Sequence, residues 1–309
     1  MKQIHKTKRK YRLNEISLIW NAFWTISMTF LGIVFILPLV LVVVVSLSSG
    51  KSLTLIGYKF IPLEWSMVAY ETIVKASTSF GQSYKMTIFY SFGGTALSLV
   101  VMSMLAYVLA RKDFKYRRVL SLFVFFTTLF SGGLVPSYIL NVKYLHLKDT
   151  IWIFLLPSLV SSFDVIILRT FVQTTVPESL FDAAKIDGAN DFSVYYNVVL
   201  PLFKAGLATV GLFNVVSRWN DWFTGVMYIE DPKLTPIMTL LQRIQNSIEL
   251  LKANSTLASS PDGIALLNSM PSESTRMALA VLAILPLLVM YPFFQKYFVK
   301  GLTIGSVKG

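Results

Sequence analysis

The residues of this 309-residue chain that can do chemistry are few, because only 14% are charged and 54% are hydrophobic. There is no cysteine, so disulfides, thiol catalysis and Cys-ligated metals are excluded. The two histidines, His5 in a basic tail and His146 in a short loop, read as solvated polar residues rather than a metal or catalytic pair. Two groups of charges remain. One is the stretch "ESLFDAAKIDGANDFSVYYNVVLP" at 178–201, with four Asp/Glu in a chain of formal charge +12. The other comprises Asp164, Arg169, Arg218 and Asp221, all set within apolar runs. Ionisable groups in such runs are costly unless paired or wet, so each is a functional candidate. Arg218 and Asp221 stand three apart, a spacing that allows an ion pair on one helical face. They lie in "SRWNDW", where Trp219, Asn220 and Trp222 add flat apolar faces and an amide suited to a sugar. Two readings stay open for Arg218, Trp219, Asn220, Asp221 and Trp222. Either they line the outward end of a solute path, or they form a structural ion pair with tryptophan anchored at an interface. Asp164 is open in the same way.

The elements that must position these residues are membrane helices. Mean hydropathy is +0.62, and soluble domains carry about 25% charged residues, so lipid must replace water over much of the surface. Six stretches reach the roughly 20 residues that span a bilayer: about 19–47, 87–110, 119–141, 150–172, 205–229 and 277–297. They predict an all-α integral membrane protein with a transmembrane domain over 16–300. A basic tail, 1–15, precedes it and a short tail, 301–309, follows. The first stretch is too long for the apolar core of a cleaved signal and predicts a retained helix. Residues 1–19, 111–118, 169–204 and 296–309 carry 17 Lys/Arg in 77 positions; the opposite loops 48–86, 141–150 and 228–276 carry 10 in 98. The positive-inside rule then puts both termini and the 178–201 stretch in the cytoplasm. The net charge is topological and calls for no nucleic acid.

Within 178–201 the punctuation is local. Pro177 and Glu178 mark a helix start, Gly188 a corner, and a second short helix runs from about 191 to Leu200 before Pro201. Asp182 and Asp187 offer charge to a partner, while Ala183 and Ala184 are small enough for close approach. In the outer loop 228–276, Ile237, Leu240, Leu241, Ile244, Ile248 and Leu251 follow helical spacing and predict an amphipathic helix. The sequon at Asn254 carries little information. Gly132-Gly133 and Pro136 interrupt the third stretch, which predicts a kink beside a path or at a packing contact.

Asp182-Ala183-Ala184, then Asp187-Gly188-Ala189, then Leu200-Pro201 resembles the EAA loop of ABC-importer permeases, E-A-A-x-x-D-G-A-x8-I-x-L-P. Spacing matches throughout; Asp182 stands for Glu and Val198 for Ile. "SGGLVPSYIL" at 131–140, "LKDTIWIFLLPSLVSSFDVIILRTFV" at 147–172 and "GLFNVVSRWNDWF" at 211–223 resemble carbohydrate-import permeases, in the branch handling polysaccharide fragments and complex oligosaccharides. "FQKYFVKGLTIGSVKG" resembles the C-terminus of the maltose-type second permease subunit, with Ser306 in place of Ala. The resemblance implies a type I importer fold in the inner cell membrane of a prokaryote. It also implies a second permease subunit, two ATP-binding subunits that hydrolyse ATP-Mg, and an extracytoplasmic sugar-binding protein. The ATPases would seat the 178–201 loop and meet the tail at Gly305, Ser306 and Lys308. No cofactor is expected on this chain itself. The only fragment of a phosphate-binding loop, Gly50-Lys51-Ser52, has Val45 where its first glycine belongs. An ion-coupled transporter, or an importer of a non-sugar solute, are the competing expectations.

Overall fold

The computed structural model describes residues 18–75, 77–254, 260–261 and 271–306. The basic tail 1–15, Lys308 and most of 255–270 lie outside them. Two compact units are distinct: 1–69 with 272–278, and 70–271 with 279–309.

In the first unit, α1 (Leu18–Ser46) carries no charge, and nearly all its large side chains are bare; Phe35 is 72% exposed. A helix apolar on every face and exposed along most of its length, up to the buried Val45 and Ser46, is suited to lipid as its solvent. A bridge between Ser48 and Trp65 joins the segments on either side of the short α2 (Gly50–Ile56).

In the second unit, α3 (Val68–Lys75) leads to α4 (Ser77–Ile88), which continues through a π-helical turn, Phe89–Gly93, into α5 (Gly94–Ala110). The chain then gives α6 (Arg117–Leu129), α7 (Leu134–Ile139), α8 (Trp152–Leu155) and α9 (Ser162–Thr175). The stretch 178–201 forms α10 (Glu178–Ile186), α11 (Asp191–Ser193), a π turn Val194–Val199 and α12 (Leu200–Leu202). Next come α13 (Lys204–Trp219), α14 (Phe223–Tyr228) and α15 (Ile237–Ala253), the amphipathic helix expected from its spacing. The last helix, α16 (Glu273–Ser306), whose residues 273–278 belong to the first unit, contains Pro286 and Pro292.

Three described helical runs are long and apolar enough to cross a bilayer alone: 19–46, 80–110 and 273–292. Two broken pairs can each count as one more. The pair α6–α7 bends by 112° at 130–133, where Gly133 has φ 83°, open to glycine at no steric cost. Residues 191–202 meet α13 at 79°, at Phe203. The stretch 150–172 is α8, a turn over 156–161, and α9. At 1.5 Å per residue, the 14 residues of α9 cover about 21 Å, short of the roughly 30 Å apolar thickness.

The second unit is built on α5, which packs against α6, α9 and α13. Its core joins Met102, Ala106 and Leu109 of α5 to Val165, Leu168 and Val172 of α9 and Val210 of α13. Val194, Tyr195, Val199 and Phe203 belong to that same core, so the 178–203 segment is packed in rather than slung between helices. A second cluster gathers Met86, Tyr90, Ile153, Phe154 and Tyr228.

Candidate functional site

The 178–201 elbow is set by local chemistry. Pro177 at φ −61° precedes α10, Glu178 sits on the positive end of its dipole and Lys185 on the negative end. After Asp187 the chain turns at Gly188, φ 72°. Ala189 N–H bonds Ala184 C=O at 2.9 Å and Gly188 N–H bonds Lys185 C=O at 3.0 Å, closing the helix end with a paired glycine cap. Asn190 then caps α11, its side chain accepting from Ser193 N–H at 2.8 Å.

Asp182, Ala183, Asp187, Gly188 and Pro201 are exposed. Ala184, Ala189 and Leu200 turn inward and pack on the core, so of the two adjacent alanines only Ala183 is offered outward. Sequence reasoning passed over the side chains that share the outer surface: Ile186 is 85% exposed, and Phe192 lies parallel to Tyr196 at 6.5 Å. The signal was present, since apolar residues interrupt an acidic, solvent-level run.

An ionic clasp fixes the elbow to α5. Arg111, at the end of α5, donates from Nε to Asp113 Oδ1 at 2.8 Å and from Nη1 to Asp191 Oδ1 and the Tyr107 hydroxyl. Lys185 Nζ reaches Asp113 Oδ2 at 2.7 Å, and Lys112 pairs with Glu178. The Arg111 guanidinium, bonded to Asp113 and Asp191 against a burial cost, is held firmly charged. Arg111 foremost, with Lys185, holds the Asp113 carboxyl well below the usual carboxylate range. Behind the clasp, Ser103 Oγ and the Tyr195 hydroxyl meet at 2.7 Å. A cleft of about 370 Å³ opens between α5, α9 and α10, lined by Arg111, Lys112, Gln173, Glu178 and Asp182 among others. Of these residues Glu178, Asp182 and Lys185 lie in the helix that the sequence marked; Arg111, Asp113 and Asp191 come together across about 80 positions of sequence.

The charges inside the helices are placed differently. Asp164 stands in the first turn of α9, capped by Ser161, and its Oδ2 accepts from Asn214 Nδ2 at 2.9 Å. Arg218 is buried, donating to Phe154 C=O at 2.9 Å, Ser158 Oγ and C=O at 2.7 Å each, and Ser98 Oγ at 2.6 Å. The pairing of Arg218 with Asp221 suggested by their spacing is not made. Carbonyls freed by the 154–158 break take the guanidinium, and α13 ends at Trp219, so Asp221 lies beyond it and caps Thr224 N–H at 3.0 Å. Gly94 makes room: a Cβ there would stand 2.9 Å from Arg218 Nη1. Trp219 is sealed, 1% exposed, donating to Ala283 C=O at 2.9 Å. Asn220 and Trp222 are exposed. Arg169 donates to Ser121 Oγ at 3.1 Å. Of the tail residues, Gly305 and Ser306 close α16.

Apolar helices, broken at two points, thus carry an acidic elbow that stands exposed at one end of α5. The family model for the binding-protein-dependent transport system inner membrane component matches residues 98–304. The polygalacturonan/rhamnogalacturonan transport system permease protein YtcP of Bacillus subtilis is 35% identical over 90% of this chain and 94% of its own. Protein LplC of the same organism is 36% identical over 90% and 91%. The crystal structure of a bacterial ABC transporter involved in the import of the acidic polysaccharide alginate superimposes with a TM-score of 0.76. It is 30% identical and covers 92% of this chain and 99% of its own. The chain belongs to the inner membrane component family of binding-protein-dependent transport systems, and is a transport subunit rather than an enzyme.

Proposed function

We propose that this chain is one half of the pore of an ATP-driven importer of oligosaccharides or polysaccharide fragments, with both termini cytoplasmic and six passes of the membrane. A second permease completes the pore, an extracytoplasmic binding protein delivers the sugar, and two ATP-binding subunits hydrolyse ATP-Mg beneath it. One relative belongs to a polygalacturonan/rhamnogalacturonan transport system and the similar solved structure to an importer of the acidic polysaccharide alginate, which makes acidic polysaccharide fragments the first substrates to test. The 178–201 elbow is the coupling element. One observation carries this reading: the elbow is clasped to α5 on one side while Asp182, Ala183, Ile186, Asp187 and Gly188 stand bare on the other. An exposed acidic and apolar surface on a segment so firmly held supports a docking role.

The test is Gly188→Asp in the assembled transporter reconstituted in vesicles. A Cβ at Gly188 meets nothing within 4 Å, so within this chain the cost is that of positive φ alone, about 1 kcal/mol. Insertion and folding are expected to survive while ATP-dependent uptake falls at least tenfold, a drop of the size an added side chain in a tight protein contact produces (about 1.4 kcal/mol per decade). Wild-type uptake in the variant removes the coupling role. Uptake that persists without ATP and collapses with an ion gradient selects a secondary transporter instead.

A further inference from the structure

Three arginines that share one cleft outside the elbow have no acidic partner among the described residues. Arg117 and Arg118 open α6, and Arg169 stands just past the middle of α9. With Ser121, Leu122 and Phe125 they line a cleft of about 500 Å³. Of the nearby cations, Arg111 is matched by Asp113 and Asp191, Lys112 by Glu178 and Lys185 by Asp113, while Lys115 lies over the Tyr116 ring. Among the described residues no ion pair includes Arg117, Arg118 or Arg169. Arg169 spends one nitrogen on Ser121, and its Nε is buried with no partner. The first turn of α6 holds no acid, so its two arginines add to the positive end of a helix dipole, an arrangement that an anion relieves.

The far wall of the cleft is apolar. Leu122 is 68% and Phe125 48% exposed, and Phe126 beside them is 52% exposed. A soluble phosphate would use the cationic end and leave that wall in water. A phospholipid uses both, its phosphate between guanidinium forks and an acyl chain along Leu122 and Phe125. We propose that the cleft between α6 and α9 binds the headgroup of an anionic phospholipid, in the leaflet on the elbow's side. The proposal rests on membrane insertion alone and not on the sugar or coupling readings.

The full chain, assembled with its partner subunits and extracted from vesicles of equal phosphatidylglycerol and phosphatidylcholine, is examined by native mass spectrometry. Retained phosphatidylglycerol is expected to exceed phosphatidylcholine by about tenfold or more, as three interfacial cations favour. The triple variant Arg117→Gln, Arg118→Gln, Arg169→Gln is expected to fall to about parity, while Lys143→Gln, outside the cleft, keeps the preference. Should the triple variant fail to assemble, a photo-reactive phenylalanine analogue at Phe125 of the otherwise native protein decides. Cross-linking to phosphatidylglycerol supports the site. Cross-linking to a protein subunit overturns it. So does equal retention of the two lipids by the native protein, or displacement by glycerol phosphate as effective as by whole lipid.

Discussion

Arg111 is the residue on which the elbow's placement turns. Its side chain is only 12% exposed and its fork reaches two carboxylates and a phenol, from α5 itself to α11. Charge-assisted bonds at such a half-buried site contribute about 1–3 kcal/mol, reduced where Asp113 meets solvent. Arg111→Ala is therefore expected to raise hydrogen exchange over 178–199 at least tenfold, with α15 unchanged, since about 1.4 kcal/mol is a factor of ten. Exchange at wild-type level would show that the core alone holds the elbow. The pH dependence follows from Asp113. Its pKa is depressed in the folded protein, chiefly by Arg111, so the clasp's contribution is fully present above the ordinary aspartate value of about 4. It is lost as pH falls below that toward the folded value. Exchange in the elbow, corrected for its intrinsic pH dependence, is expected to stay flat from about pH 8 to 5 and to rise only below about 4. A rise near neutrality would place control in another group.

At the scale of elements, α13 approaches α9 through a missing side chain. A Cβ on Gly206 would stand 2.7 Å from Phe171 Cγ and 3.0 Å from its Cβ, whereas one on Gly32 of α1 meets nothing within 4 Å. Gly206→Ala is thus expected to cost about 1–3 kcal/mol by overpacking. Gly32→Ala should be neutral or slightly stabilising, because alanine is the better helix former. Thermal midpoints in detergent compare the two directly; equal midpoints would mean that α9 and α13 slide apart freely. Elements whose signals are local were legible in the sequence. Pro177, Gly188 and Pro201 delimited the elbow, and the period of Ile237, Ile248 and Leu251 delimited α15, with all three side chains buried. Breaks inside apolar stretches were less so. Hydropathy reports which solvent a segment prefers and not its direction, so the 112° turn at 130–133 was visible only as a glycine pair. Partners distant in sequence were hidden altogether. Asp164 and Asn214 lie 50 positions apart, and Arg218 chose carbonyls exposed by a break that no spacing announces.

At the scale of the molecule, what matters is whether a push on the elbow reaches the membrane helices or is absorbed. Val194, Tyr195, Val199 and Phe203 share one core with α5, α9 and α13, and close-packed cores transmit displacement rather than yielding to it. The ionic clasp adds a second attachment between the elbow and the end of α5. Elbow and α5 should then move as one body, and a covalent link between them should cost transport nothing. The chain has no cysteine, so Asp113→Cys with Lys185→Cys supplies a unique thiol pair where the side chains met at 2.7 Å. Before linking, the variant lacks the Asp113 attachments, and its ATP-driven uptake is expected to fall about two- to fivefold, as a loss near 1 kcal/mol implies. A short bis-maleimide bridge across the pair replaces the lost clasp, and uptake is expected to return to most of the wild-type rate. If bridging instead abolishes uptake that the unlinked variant retains, the elbow must swing relative to α5 during transport. The lever would then lie at the 79° bend beside Phe203 rather than in a rigid α5–elbow body.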